Sequence, residues 1–225
     1  MQALGAKVVV VDKVDGNGGY LESRINYIKE KVSNNKNYIW FNQYANQANP
    51  DAHRNITARE IFEKYGSIDY LVIGAGTTGT LMGCTEYCKL YSPLTKIYAV
   101  DARGSVTFGG LSGVRKIPGL GTSRRPEICD EQNLDEIIYV DEIDTIEMCR
   151  WVSKKYGLFI GGSTGTVLAA IENNKDLFEP GKVIVTISPD TGNGYIDTIY
   201  NDEWCSKYFP SIEIQKPNEI TLEEA

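Results

Sequence analysis

Histidine and cysteine are scarce in this sequence. His53 is the single histidine among 225 residues, so a Ser-His-Asp or Cys-His mechanism would depend on it alone, and a helix-start or packing role is the expected one. The five cysteines are odd in number and scattered, which is typical of reduced thiols. Cys84 and Cys88 would share a helix face, but two thiols without further ligands do not make a zinc site. Core packing is expected for both, and no metal site is predicted.

Long apolar runs and basic clusters are also missing. No run approaches the ~20 apolar residues that a membrane-spanning helix requires, and the first residues lack a signal-peptide pattern. Lys and Arg together number 23 against 30 for Asp and Glu, a net charge of −7. The densest basic pair is Arg124-Arg125. We therefore expect neither nucleic-acid nor membrane partners and predict a cytoplasmic protein.

Apolar runs and helical patterns alternate along the chain. Strands are predicted at 68–73, 97–101, 137–140 and 183–187, and also at 7–11, 38–41 and 158–160. Helices are predicted at 20–31, 57–65, 80–91, 144–156, 166–173 and 195–207. This alternation predicts an α/β fold with three layers, a mostly parallel sheet covered by helices on both faces. Loops rich in Gly, Ser and Thr follow three of the strands and are expected to face one crevice beyond their carboxyl ends.

The two ends of the chain and one long segment suggest the domain organisation. Leu4-Gly5 is typical of a helix end, and a strand is predicted almost at once after it, so the chain is expected to begin inside a domain. We predict a remnant of a small domain at 1–41, a large cofactor-binding domain at 42–210 and a frayed tail at 211–225. The segment 102–127 has no clear period, and such long irregular stretches are usually functional.

One turn carries most of the functional information. It follows the predicted strand 68–73 and leads into a predicted helix. Outward-pointing amides and the helix dipole make such a turn an anion site, glycines allow close approach, and hydroxyls donate hydrogen bonds. The pattern therefore predicts a phosphate site, against the alternative of a tight turn without a ligand. We call five of its residues the threonine turn: Gly76, Thr77, Thr78, Gly79 and Thr80.

The same residues also match a dinucleotide fingerprint. Gly74, Gly76 and Gly79 have the G-x-G-x-x-G spacing. Asp101 ends the next predicted strand, and its separation from Gly79 is close to the ~20 residues expected for the acid that binds a ribose. Alone, this motif predicts an NAD-binding domain. The threonines favour a compact phosphate monoester instead, because a dinucleotide turn usually lacks hydroxyls at these positions.

An ordered set of motifs decides between the phosphate-monoester site and the NAD-binding domain. The set comprises QYANQANPDAHR at 43–54, the threonine turn, PGLG at 118–121, GGSTG at 161–165 and PDTG at 189–192 with Tyr195. In this order they resemble the cysteine synthase family of pyridoxal-phosphate enzymes, with the tryptophan-synthase-β fold (fold type II), over nearly the whole chain. GGY at 18–20, NQYAN at 42–46 and VDARGS at 100–105 are most similar to one branch. That branch joins O-phosphoserine to glutamate for 2,3-diaminopropionate in siderophores and peptide antibiotics.

The resemblance implies a cofactor and the residues that hold it. The cofactor is pyridoxal 5′-phosphate, with the threonine turn as its phosphate cup and Thr191 as the hydroxyl that hydrogen-bonds the pyridine nitrogen. A neutral hydroxyl there suits β-replacement better than transamination. Arg24 is a candidate for a second carboxylate or a leaving phosphate because its fork fits either, and a solvated helix arginine is the alternative. A homodimer acting on amino acids is also implied, and the residues implied on the substrate side are Gln43, Tyr44, Gly119 and Gly121.

One departure from the family is severe. Family members hold the cofactor as a Schiff base on a lysine in a Ser-x-Lys-Asp-like segment, and no lysine here has that context; Lys89, Lys116 and Lys182 have unrelated surroundings. The sequence is therefore expected to be the C-terminal portion of such an enzyme, without a catalytic residue of its own. Three alternatives stay open: a cysteine synthase using sulfide, an NAD-binding protein, and a non-catalytic interaction remnant.

Overall fold

A computed structural model describes residues 1–16 and 19–212, with a four-stranded parallel sheet at its centre. Leu71 pairs with Ile97 on one side and with Val185 on the other, and Ala99 pairs with Ile137. Because all pairs are parallel, the strand carboxyl ends meet at one edge, as predicted. The strands, in the spatial order β3-β2-β1-β4, are β1 Tyr70–Gly74, β2 Lys96–Ala102, β3 Glu136–Val140 and β4 Ile184–Thr186.

Helices flank the sheet, which confirms the α/β fold class. The residues from 48 to 65 form one continuous helix, called here the 48–65 helix. Its middle part, His53–Ala58, is π-helical, and the parts before and after it are α-helical. Short 3-10 turns occur at Gln2–Leu4, Lys175–Leu177 and Gly192–Tyr195. The α-helices are α1 Leu21–Asn34, α2 Ala48–Ala52, α3 Arg59–Tyr65, α4 Gly79–Tyr91, α5 Glu142–Tyr156, α6 Gly162–Asn173 and α7 Asp202–Tyr208.

The apolar core lies on both faces of the sheet. Successive side chains of a strand point to opposite faces, so an uninterrupted apolar strand serves two cores. Leu71 and Ile73 join Leu81 of α4 in one core. Val72 joins Val167 of α6 in the other. Because β1 is apolar on both faces, a helix packs against each face, and the result is three layers.

Two predicted strands are wrong. The structure has no strand at 7–11 or 38–41, where Val10 is 82% exposed and Ile39 is 79% exposed. A strand requires a hydrogen-bonded neighbour, and apolar β-prone residues without one do not form a ladder. The division into domains at residue 41 stays a prediction.

Smaller differences occur near the C-terminal end. The strand predicted at 158–160 is reduced to one bridge between Ile160 and Thr191. The helix predicted at 195–207 splits into Gly192–Tyr195 and α7, and the Asn201 side chain caps α7 by accepting from the Trp204 amide at 2.8 Å. The helix predicted at 57–65 begins at residue 48 instead. The predicted tail falls mostly at 213–225, outside the described residues.

The cysteine side chains carry free thiols, most of them buried. All five thiols are free, and burial raises the pKa of the Cys84 and Cys88 thiols to about 12, in keeping with core packing. Within 1–16 and 19–212, no helix is both long and apolar enough to cross a membrane. The same ranges contain no cluster of three His, Cys, Asp or Glu side chains suited to a metal.

Close packing of α4 against the 48–65 helix predicts a sensitive position. A Cβ added at Gly83 would lie 2.3 Å from the Pro50 carbonyl oxygen, a backbone atom that cannot move aside alone. Gly83→Ala should therefore lower the free energy of unfolding by about 1–3 kcal/mol, measured by urea denaturation. Gly194→Ala is the matched control, because nothing lies within 4 Å of a Cβ there. Equal stability of the two variants would contradict the described packing.

Candidate active site

The threonine turn lies at the carboxyl end of β1 and leads into α4. Thr78 has φ +66°, an uncommon conformation for a β-branched residue that costs on the order of 1–3 kcal/mol. Its side chain is only 2% exposed, and its hydroxyl oxygen lacks a standard hydrogen-bond partner among the described residues. Burial raises the pKa of the Cys129 thiol, and the Thr78 hydroxyl lies close enough to that thiol to act in the opposite direction, although sulfur is a weak partner. The turn thus holds a strained residue with unused hydrogen-bonding capacity.

A cleft of about 510 Å³ opens in front of this turn. Loops from three strand ends contribute to it, so the predicted single crevice is confirmed. Four further lining residues are not among the site residues expected from the sequence: Leu120, Ser163 and Asp190, which lie within the identified motifs, and Thr122, which adjoins one. The cleft is lined by Gln43, Tyr44, Gly74, Gly76, Thr77, Thr78, Gly79, Thr80, Leu81, Gly119, Leu120, Gly121, Thr122, Ser163, Pro189 and Asp190.

Glycines make one wall of the cleft thin. Gly119 and Gly121 have φ +121° and +77°, where a side chain would be strained. A Cβ on Gly119 would lie 2.5 Å from the Ser163 hydroxyl oxygen, and a Cβ on Gly76 would lie 3.3 Å from the Gly119 carbonyl oxygen. Side chains at these positions would fill the space that the cleft leaves for a flat ligand.

The 48–65 helix supports the threonine turn from behind. The Asn49 side-chain amide donates to the Gln43 carbonyl oxygen at 2.8 Å and to the Thr77 hydroxyl oxygen at 3.4 Å. His53 Nε2 lies 3.2 Å from the Thr80 hydroxyl oxygen. From the sequence, His53 was given a helix-start or packing role and Asn49 no role beyond its motif. Their contacts depend on how the 48–65 helix packs against the threonine turn and α4, which no local sequence pattern indicates.

Two guanidinium groups lie near Tyr44 at the mouth of the cleft. Burial raises the pKa of the Tyr44 phenol, while the nearby guanidinium groups of Arg24 and Arg124 act in the opposite direction. Arg24 does not line the cleft; it is exposed on α1, and its Nε donates to the Tyr20 carbonyl oxygen at 3.1 Å. Arg124 is paired with two glutamates. Arg24 therefore acts electrostatically on Tyr44 at the mouth of the cleft but does not contact the interior of the cleft.

Thr191 occupies a different position from the other candidates. It is exposed and bridged to Ile160, and it does not line the cleft, whereas the preceding residue, Asp190, does. The Tyr195 hydroxyl donates to the Asp190 carboxylate at 3.0 Å and fixes this carboxylate in the cleft wall. The assignment of Thr191 to the pyridine nitrogen stays a prediction.

Asp101 argues against the dinucleotide alternative. Its side chain is 0% exposed, lies behind the cleft loop and accepts a hydrogen bond from the Ala102 amide at 2.8 Å. Its Oδ1 would be 3.2 Å from a Cβ on Gly121, on the far side of the cleft wall. A carboxylate buried there cannot contact a ribose in the cleft, so the acid that the fingerprint requires is missing from the site.

Comparison with known proteins identifies the class. The family described as pyridoxal-phosphate dependent enzymes matches residues 1–190, most of the chain. The chain therefore belongs to the pyridoxal-phosphate-dependent enzyme family, whose cofactor is pyridoxal phosphate.

The solved structures to which this chain is similar are cysteine synthase-like enzymes. An O-acetylserine-dependent cystathionine β-synthase from Helicobacter pylori is 28% identical with a TM-score of 0.79, and the match covers 89% of this chain and 65% of that one. An O-ureido-L-serine synthase is 27% identical with a TM-score of 0.77, covering 88% and 62%. A hydrogen sulfide-producing enzyme from Fusobacterium nucleatum is 32% identical with a TM-score of 0.77, covering 86% and 65%. The chain spans less than two thirds of each.

The residues present fit the cofactor's phosphate. A phosphate monoester requires several donors around one small volume, and the turn offers the helix α4 N-terminus and threonine hydroxyls. Thr77 and Thr80 are half-buried, and their hydroxyls can donate to a bound phosphate, whereas the Thr78 hydroxyl is fully buried close to the Cys129 thiol. Gly76 leaves the backbone open on the cleft side, where a Cβ would lie 3.3 Å from the Gly119 carbonyl oxygen, whereas the space beside Gly79 is occupied by the Asn49 side chain.

The Asp101 carboxyl predicts a pH-dependent stability. Burial raises its pKa from 3.8 to about 6, so between these values the folded protein binds more protons than the unfolded one. The free energy of unfolding then falls as pH rises through about 6. Asp101→Asn removes this loss, and its stability relative to wild type should improve by about 1 kcal/mol from pH ~5 to pH ~8. Urea unfolding at both pH values measures the difference. A pH-independent difference between the two proteins would contradict burial of Asp101.

Proposed function

We propose that this chain supplies the cofactor-binding portion of a pyridoxal-phosphate-dependent β-replacement enzyme. Its substrates are O-phospho-L-serine and L-glutamate, and its product leads to 2,3-diaminopropionate for a siderophore or antibiotic. The observation that carries this proposal is the Arg24 guanidinium near Tyr44 at the cleft mouth. Arg124 lies near as well, but it is already paired with Glu22 and Glu127. In a chain with net charge −7, a guanidinium at this place suits substrates that carry extra negative charge.

The chain's own residues bind and orient. The amides and hydroxyls of the threonine turn hold the cofactor phosphate, and the Thr191 hydroxyl would donate a hydrogen bond to the unprotonated pyridine nitrogen. When bound, pyridoxal phosphate supplies an electron sink for the substrate Cα. Gln43 and Tyr44 orient the substrate carboxylate, and Gly119 and Gly121 leave room for the amino acid, as the family resemblance implies.

Arg24 selects the leaving group in this proposal. A guanidinium presents two parallel donors that match a phosphate dianion, so binding strengthens as charge builds on the departing phosphate. A neutral acetyl leaving group gains much less from the same fork. The Schiff-base lysine is assigned to a segment outside these 225 residues, and the active protein is proposed to be a cytoplasmic homodimer.

A second candidate function has specific support. Two of the similar structures are described by O-acetylserine dependence and by hydrogen sulfide production. A cysteine synthase that uses sulfide would have the same fold, the same threonine turn and the same cleft. The two candidates differ in whether the leaving group and the acceptor carry negative charge.

The test uses this chain produced together with an N-terminal segment that carries the lysine. O-Phosphoserine should release inorganic phosphate in a glutamate-dependent reaction, and mass spectrometry should find a product with glutamate nitrogen joined to the serine Cβ. Turnover of O-acetylserine with sulfide, and none with glutamate, would place the protein with the second candidate. Absence of both reactions in a protein that has bound its cofactor would overturn the proposed function.

Arg24 provides a sharper prediction. In that protein, Arg24→Ala should lower kcat/KM for O-phosphoserine about tenfold or more and change kcat/KM for O-acetylserine little, because the second substrate lacks the phosphate. Steady-state kinetics with both substrates measure the ratio. Arg59→Ala, on the exposed face of α3, is the control. An equal loss with both substrates would show that Arg24 does not read the leaving group.

A further inference from the structure

Two polar side chains of the 48–65 helix contact the threonine turn. Asn49 and His53 are separated by one helical turn, and they reach the Thr77 and Thr80 hydroxyls respectively. The contact is close because Gly79 carries no side chain: a Cβ there would lie 2.1 Å from the Asn49 side-chain oxygen. The helix therefore touches both ends of the turn through groups that exchange hydrogen bonds.

The direction of the Asn49 hydrogen bonds follows from its partners. The Gln43 carbonyl oxygen can only accept, so the side-chain atom 2.8 Å from it must be the amide nitrogen, a donor. The same nitrogen also lies 3.4 Å from the Thr77 hydroxyl oxygen. Thr77 therefore accepts from Asn49 and keeps its own proton for another acceptor. The acceptor in front of it is whatever occupies the cleft.

His53 makes a comparable arrangement at the other end of the turn. Its Nδ1 lies 3.0 Å from the Thr57 hydroxyl oxygen and its Nε2 lies 3.2 Å from the Thr80 hydroxyl oxygen. Burial lowers the pKa of His53, which favours the neutral ring with one donor and one acceptor nitrogen. When Thr57 donates to Nδ1, Nε2–H donates to Thr80, and the Thr80 proton is also free to point into the cleft.

We propose that Asn49 and His53 are positioning residues that turn the hydroxyl protons of Thr77 and Thr80 toward a phosphate bound in the threonine turn. Neither residue lines the cleft, so each acts through the threonine it contacts. This inference rests on the proposed function of the turn as the cofactor's phosphate site. It adds that the phosphate affinity depends on a second layer of side chains, because a hydroxyl that donates elsewhere cannot donate to the phosphate.

The experiment compares two ligands that differ only in the phosphate. Pyridoxine 5′-phosphate and pyridoxine both lack the aldehyde, so neither requires a lysine, and their binding to this chain is measured by isothermal calorimetry. Asn49→Asp keeps the size of the side chain but replaces the donor with an acceptor that takes the Thr77 proton. It should weaken pyridoxine 5′-phosphate binding by about 30-fold or more, and Asn49→Ala by about fivefold. Pyridoxine binding should change by less than about twofold in both.

Controls separate charge, packing and positioning. Asn46→Asp adds the same charge three residues away, where the native side chain contacts Phe41 and Ala48 and not the turn; its affinity for pyridoxine 5′-phosphate should fall by less than about threefold. His53→Gln retains an amide donor that can reach Thr80 and should bind close to wild type, whereas His53→Leu should bind about fivefold more weakly. Thermal unfolding without ligand identifies any variant that is not folded.

The outcomes are distinct. Wild-type protein that binds no pyridoxine 5′-phosphate would overturn the proposed phosphate site, and this inference with it. Wild-type binding with Asn49→Asp equal to Asn46→Asp would overturn only the inference. Equal losses for pyridoxine and pyridoxine 5′-phosphate would show a packing role in place of a positioning role. If Asn49→Asp does not fold, equal phosphate affinities of His53→Gln and His53→Leu overturn the inference through its second residue.

Discussion

The close approach of the 48–65 helix to α4 is the constraint on which the site depends. Two glycines one helical turn apart permit it: Cβ atoms at Gly79 and Gly83 would lie 2.1 Å from the Asn49 side chain and 2.3 Å from the Pro50 carbonyl oxygen. With larger residues the helices would separate, and Asn49 would no longer bridge Gln43 to the threonine turn. The geometry of the site thus depends on the close packing of these two helices at glycine positions.

The electrostatics of the site contrast with those of the whole chain. The net charge is −7, yet the cleft is bounded by a helix N-terminus and approached by two guanidinium groups. The backbone and hydroxyl donors of the turn provide positive potential without a buried lysine or arginine, which would require a compensating partner. The strained φ of Thr78 fits the same arrangement, since the left-handed conformation carries the chain from β1 into α4 while its hydroxyl stays in the turn.

Much of the fold follows from sequence patterns because those patterns act locally. The apolar runs of β1, β2 and β3 predict buried strands, and the glycine-threonine pattern predicts the turn that follows β1. The runs at 7–11 and 38–41 have the same composition without a partner strand, which no local pattern reveals. Asp101 has the spacing of a ribose ligand but faces the core behind Gly121, because the side-chain direction at a strand end depends on the loop packed over it. The contacts of Asn49 and His53 with the turn could not be predicted because they depend on the packing of the 48–65 helix against a part of the chain that is distant in sequence.

The central claim is that residues 76–80 form a phosphate site for pyridoxal phosphate. Amide chemical shifts of the ¹⁵N-labelled chain, followed during titration with pyridoxal 5′-phosphate and separately with NADH, test it most directly. The account predicts saturable shifts at the amides of Gly76, Thr77, Thr78, Gly79 and Thr80 with pyridoxal 5′-phosphate, and no tighter response to NADH. Shifts confined to other parts of the chain, or tighter binding of NADH at these amides, would contradict it.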